Sequence, residues 1–194
     1  MKGDETGTRL DGAFQTAMNC QVAADAIARK EALDASVKEG GDPLGSWVEQ
    51  RMPALSFAYP PPDDVLDDTS AKEVLTVVRA ATVAWAEALR AHTEQPTVST
   101  GNAVSDSFAR TMKSKAALDA WRRAREMDEC RRGEGDPFYC WREFHIWIFP
   151  WPQPPPPDTL EATTPAHAWS LTHSAALKLL GAVDEAIAAG GFPG

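Results

Sequence analysis

Two blocks of this chain repeat each other at a fixed spacing. Gly41-Asp42-Pro43, Trp47, Glu49, Pro60-Pro61-Pro62, Asp64 and Leu66 return as Gly135-Asp136-Pro137, Trp141, Glu143, Pro154-Pro155-Pro156, Asp158 and Leu160. The differences 135 − 41, 141 − 47, 154 − 60 and 160 − 66 all equal 94. An internal repeat of this kind constrains a fold more than any local pattern, because both copies must adopt the same local structure.

The match extends outward without a gap. Thr6-Gly7 pairs with Thr100-Gly101, Phe14 and Met18 with Phe108 and Met112, and Asp25 and Arg29 with Asp119 and Arg123. Across the 86 positions from Thr6 to Ala91, 22 are identical at this offset. Several of these are alanines, so the Gly-Asp-Pro, Trp, Glu and Pro-Pro-Pro block carries the argument.

Each copy reads as long helix, short helix, Pro-rich loop, long helix. Residues 1–9 are polar and Gly-rich and read as a loose tail. Phe14, Met18, Val22, Ala26 and Leu33 recur at near-helical spacing and predict a helix over 10–38. Gly40-Gly41 stop it. Asp42 caps and Pro43 opens a short helix to about Arg51. Pro60-Pro61-Pro62 forces an extended segment. Thr69 or Ser70 then caps a helix to Glu94, with Val74, Val78, Ala81, Trp85 and Leu89 as its apolar stripe. Residues 95–103 read as a linker with Pro96 and Gly101 as breakers. The second copy predicts helices over 105–132, from Pro137 to about 149, and from near Pro165 to Gly190. Its last helix turns Trp169, Leu171, Ala175, Leu179 and Val183 to the core.

No segment alternates with period two, so the fold class is all-α: two tandem copies at offset 94, residues 1–95 and 96–194, packed as a pseudo-two-fold helical bundle. A three-helix unit of this size buries little alone, so one joint core is expected.

Charge narrows the partners. The net charge is −9 and the pI about 4.9, which disfavours nucleic acid and anionic membrane surfaces, since both reward basic patches. No run of about 18 apolar residues exists, so no membrane span is expected. The first residues carry no apolar core of a signal peptide. Cys20, Cys130 and Cys140 form an odd, sparse set without a CxxC pair, which reads as a reducing compartment and a cytoplasmic chain. Cys140 and Cys20 align with Ser46 and Ser114, so the repeat demands neither thiol.

Chemistry is sparse. No phosphate-loop glycine pattern, His-Glu-x-x-His or Gly-x-Ser-x-Gly occurs. His92, His145, His167 and His173 have no histidine at the repeat-related position. No cofactor or metal is expected, and the balance of the sequence is against an enzyme.

Two candidate sites stand out. Asp25 and Arg29, and Asp119 and Arg123, are i,i+4 pairs on helix faces shared with Phe14 and Met18. With Glu49 and Glu143 they are candidates for a cleft between the copies. The second candidate is the aromatic run from Phe138 to Trp151. It is far richer than its counterpart, and Trp147, with His145, Phe149 and Trp151, reads as a partner-binding surface. Trp47 and Trp141 are expected to pack on the proline segments. The first functional expectation is a non-enzymatic helical interaction protein, an adaptor, assembly subunit or inhibitor, that binds a protein partner or a second copy. The alternative is a helical bundle that binds or converts a small molecule between the repeats. A carboxylate-lined cavity between the first helices of the two copies is the feature that favours the alternative.

Overall fold

The computed structural model describes residues 5–42, 68–133, 135–136, 138–140 and 162–191. Four long helices occupy most of these: α1 (Glu5–Lys38), α2 (Ala71–Glu94), α3 (Val98–Arg132) and α4 (Pro165–Ala188). Phe138–Cys140 is also helical, and no strand occurs among the described residues. The fold is an all-α bundle.

Local chemistry sets the helix ends. Ser70 caps α2 in a reciprocal box: its hydroxyl accepts from the Glu73 N–H at 3.2 Å, and the Glu73 carboxylate accepts from the Ser70 N–H at 2.8 Å. Glu73 is thereby held below the usual carboxylate range, by the Ser70 hydroxyl and then by the Ser70 N–H. Thr97 and Thr100 form the same kind of box at α3, and Thr164 caps α4 ahead of Pro165. These devices satisfy amide donors that the first turn leaves without partners. At the other end of α1, Gly40 takes φ 85° and donates to Val37 O, while Gly41 donates to Ser36 O. The end of α4 repeats this bonding with Gly190 and Gly191. Both are Schellman closures, which need a left-handed residue that glycine supplies without steric cost.

Two boundaries differ from the expectation. Residues 5–9 are helix and not tail, because Leu10 is fully buried and Arg9 reaches across to Glu185 on α4. The linker shrinks to residues 95–97, because Thr97 caps a helix that already includes Gly101. A Cβ at Gly101 would stand 3.6 Å from the His92 ring. Leu171 is a third correction. It is 48% exposed, and its neighbours Trp169 and Thr172 face the core instead.

Helix directions follow from the bridging contacts. Thr111 Oγ1 donates to Ala81 O, and Trp121 Nε1 donates to Thr69 O at 2.7 Å, so α3 runs back along α2. Thr172 Oγ1 donates to Cys20 O, and Arg9 pairs with Glu185, so α4 runs antiparallel to α1. Arg79 meets Asp184, and His92 stacks edge-on against Trp169, so α2 and α4 are antiparallel as well. Consequently α1 and α2 point the same way. Chain order is up, up, down, down, which requires two long connections, one from α1 to α2 and one from α3 to α4. The connections from 39 to 70 and from 133 to 164 are 32 residues each (71 − 38 − 1 and 165 − 132 − 1). That is ample to return along a 24-residue helix about 36 Å long.

One core draws on all four helices, including Leu10, Phe14, Val74, Trp85, Val104, Leu118, Trp169 and Leu179. Trp85 is its largest fully buried side chain. Its Nε1 donates to Gln21 Oε1 at 3.1 Å, and its ring packs at 5.2 Å from Phe108. Buried Thr82 returns its hydroxyl to the carbonyl one turn earlier, and Thr111 and Thr172 share their single protons between such a carbonyl and the neighbouring helix, which is how a hydroxyl survives in a core.

Candidate functional site

Among the described residues, the fourth side of the bundle is open. No Cα of α1 comes within 8 Å of a Cα of α3, so these helices meet only through side chains. Between them lies a cleft of about 360 Å³ lined by Asp11, Phe14, Gln15 and Met18 from α1 and Met112, Lys115, Asp119, Arg122, Arg123 and Glu126 from α3.

Helical spacing builds this lining. Met112, Lys115, Asp119, Arg122 and Glu126 are separated by 3, 4, 3 and 4 residues and form one stripe on α3. Asp11, Phe14 and Met18 do the same on α1. Phe14 and Met18 form part of the core at the cleft floor.

The charges are interlocked. Arg122 Nη1 donates to Asp11 Oδ2 at 2.9 Å, and Lys115 Nζ lies 3.1 Å from Asp11 Oδ1. Lys115 also pairs with Asp119 one turn on, and its ammonium sits 5.3 Å from the Phe14 ring centre. The Lys115 and Asp119 side chains are only 12% and 18% exposed, so this network is screened less than an ordinary surface pair. Burial pushes the Asp11 carboxyl up, but Lys115 and Arg122 together outweigh it and hold the group below its ordinary value. Asp11 therefore stays ionised, a poor proton acceptor but a firm anchor for two cations.

The expected cleft residues divide. Asp119 and Arg123 line the cleft, whereas Asp25 and Arg29 do not. Asp25 accepts instead from Gln21 Nε2 at 3.1 Å. Burial raises its pKa, opposed by the Gln21 hydrogen bond and the Arg29 charge. Glu49, Glu143, Trp47, Trp141, His145, Trp147, Phe149, Trp151 and the proline runs lie outside the described residues. Asp11, Lys115 and Arg122 had not been singled out from sequence. The i,i+4 spacing of Lys115 and Asp119 was a legible signal; the approach of Asp11 from another helix was not.

Cys130 and Cys140 form a disulfide, a pairing that the sequence reading did not offer. An odd count still permits one bridge and one free thiol, here Cys20. Gly135 lies against the bridge: a Cβ there would meet Cys130 O and Cys140 Sγ at 2.8 Å.

Among the described residues, no group of three His, Cys, Asp or Glu side chains gathers as metal ligands would. None of their helices is long and apolar enough to cross a membrane. No protein-family model matches the chain, and neither a curated protein nor a solved structure matches it.

Proposed function

We propose that this chain is a duplicated helical binding protein that takes a small ligand, with an apolar body and a charged end, in the cleft between α1 and α3. The observation that carries the reading is the cleft itself: a carboxylate-lined space between the first helices of the two copies, with an apolar floor. Its volume falls in the lower part of the roughly 300–1,000 Å³ range of small-molecule sites. Phe14, Met18 and Met112 would hold the apolar body. A charged end would exchange with part of the network around Asp11, Lys115 and Arg122. The arrangement offers binding and orientation, with no nucleophile paired to a base.

Duplication is part of the same proposal, with residues 1–95 and 96–194 as copies sharing one core. Several observations support it. Lys38 and Arg132, Ala71 and Pro165, and Glu94 and Ala188 bound the helices and differ by 94. The buried positions Val74, Leu75, Val78, Thr82, Trp85 and Leu89 on α2 correspond at that offset to Ala168, Trp169, Thr172, Ala176, Leu179 and Val183 on α4. The α1–α4 and α3–α2 pairs are each antiparallel and in matching register. These are relations that a pseudo-two-fold axis would produce.

Native mass spectrometry of the purified full chain tests the cleft. The wild-type chain should carry a co-purifying small molecule that Lys115→Met loses while keeping its helical circular dichroism. A chain that retains nothing, or a variant that retains the same molecule equally well, removes the reading.

A second reading keeps a protein partner or a second copy at the aromatic run. Phe138 and Tyr139, at its start, are 68% and 50% exposed. Trp147→Ala should then weaken association, read by analytical ultracentrifugation, with thermal unfolding nearly unchanged.

A further inference from the structure

The charges that line the α1–α3 cleft alternate in sign. Along one face of α3, Lys115, Asp119, Arg122 and Glu126 read plus, minus, plus, minus. Asp11 enters from α1 and meets both Lys115 and Arg122. With Arg123, the lining holds three cations and three anions. Steps of 4, 3 and 4 residues along α3 keep each charge about 5–6 Å from the next at the Cβ atoms. The apolar residues gather at one end of this row. Asp11 meets Arg122 and Phe14 meets Lys115, so α1 runs opposite to α3, and Met18, one turn beyond Phe14, heads toward Met112.

These charges already satisfy one another. Asp11 holds Arg122 at 2.9 Å and Lys115 at 3.1 Å, and Lys115 also holds Asp119. A ligand with one charge would take one member of a pair and strand the other in a half-buried place, which is costly. A ligand with both charges replaces both partners and leaves the balance of the lining unchanged.

From this we infer that the ligand of the cleft is a zwitterion with both charges on one carbon: an α-amino acid with an apolar side chain. Its carboxylate takes Arg122, whose planar fork suits bidentate pairing. Its ammonium takes Asp119, and its side chain lies on Phe14, Met18 and Met112. Spacing selects the class. Asp119 and Arg122 are three residues apart and neighbours on the helix surface, so the two charges that meet them must also be neighbours. Flexible Met18 and Met112 side chains accept apolar groups of differing shape.

The inference rests on the cleft reading proposed above and deepens it. The experiment titrates L-leucine, L-methionine and L-phenylalanine into the full chain with isotopically labelled methionine methyls, read by NMR. At least one should shift the Met18 and Met112 methyls. The two analogues of that amino acid that lack either the ammonium or the carboxylate should bind roughly ten- to hundredfold more weakly. Asp119→Asn should remove the amino acid's advantage over its deaminated analogue and keep its advantage over the amine; Arg122→Gln should do the reverse. A residue that only held the fold would move all of these affinities together, and that result overturns the assigned roles. If either variant loses its helical circular dichroism, the comparison of analogues on the wild-type chain decides alone. A singly charged analogue that binds as tightly as the amino acid overturns the inference, as does a panel without methyl shifts. The cleft reading survives either result when the wild-type chain carries a co-purifying molecule that Lys115→Met loses, and falls with the inference when it carries none.

Discussion

Gln21–Asp25 on α1 and Lys115–Asp119 on α3 stand 94 positions apart, each an i,i+4 pair, and their chemistry differs. Gln21 uses its carbonyl for the buried Trp85 indole and its amide for Asp25, so the α1 pair serves the core. Lys115 pairs with Asp119 on its own helix and with Asp11 across the open side of the bundle, so the α3 pair serves the cleft. The α1 pair thus does structural work, and the α3 pair lines a candidate site. Under the duplication proposed above, a residue that departs from its counterpart and gathers partners is where binding is to be sought.

The largest expected effect tests the shared part of this comparison. Trp85 and Leu179 are counterparts under the proposed duplication, and both are fully buried. Trp85→Ala should cost about 3–5 kcal/mol and Leu179→Ala about 2–5 kcal/mol in urea unfolding. A cost well under 1 kcal/mol for either would break the equivalence of the two cores.

The next effect concerns the ends of α1 and α3. Gly41 donates to Ser36 O at 2.9 Å, and Gly135 donates to Cys130 O at 3.1 Å; the halves differ in that the second adds the Cys130–Cys140 bridge across ten residues. Replacing both cysteines with the serines found in the first half, Cys130→Ser with Cys140→Ser, should leave helix content unchanged and cost about 2–3 kcal/mol through lost loop closure. Calorimetry should show Tm lower by roughly 5–10 °C. An unchanged Tm would mean that the bridge lies outside the cooperative unit.

The smallest effect is the most discriminating, because its sign differs between the pairs. The Asp11 carboxyl is held below its ordinary value of 3.8, so it adds stability at neutral pH that is lost as pH falls through the folded-state pKa. Its side chain is 45% exposed, and solvent screening limits Asp11→Asn to a loss of about 0.5–1 kcal/mol at pH 7, vanishing in acid. Asp25 is raised, so its ionised form opposes folding at neutral pH, and that penalty is relieved as pH falls through its folded-state value. Asp25→Asn should be neutral or slightly stabilising at pH 7, with the difference closing toward pH 4. Parallel pH profiles for the two variants would contradict the division of roles.

Much of the architecture was legible in the residues. The ends of α1, α2 and α3 at Lys38, Glu94 and Arg132, and the starts of α2 and α4, matched the cap, glycine and proline signals, because those signals are local backbone chemistry. The start of α1 was missed because Glu5 to Arg9 gains its helical conformation by docking on α4, and propensity alone does not register a distant partner. Leu171 was misassigned for a related reason: helical spacing finds an apolar stripe, but the width and centre of the buried face are set by the neighbouring helix, which selects Trp169 and Thr172.

The sequence by itself determined the helical class, the ends of α1, α2 and α3 and the starts of α2 and α4, since each depends on residues within a few turns of one another. Only the tertiary structure decided which helices meet. It placed α1 on α4 and α3 on α2, each pair joining a helix from residues 1–95 to one from residues 96–194, and left α1 and α3 apart. Asp11 joined Lys115 and Arg122 for that reason, from more than a hundred positions away (115 − 11 = 104). Pairings at such separations carry no periodic trace in the chain; they arise when burial of the apolar faces of α1, α2, α3 and α4 selects one arrangement and brings the remaining polar residues together at its open side.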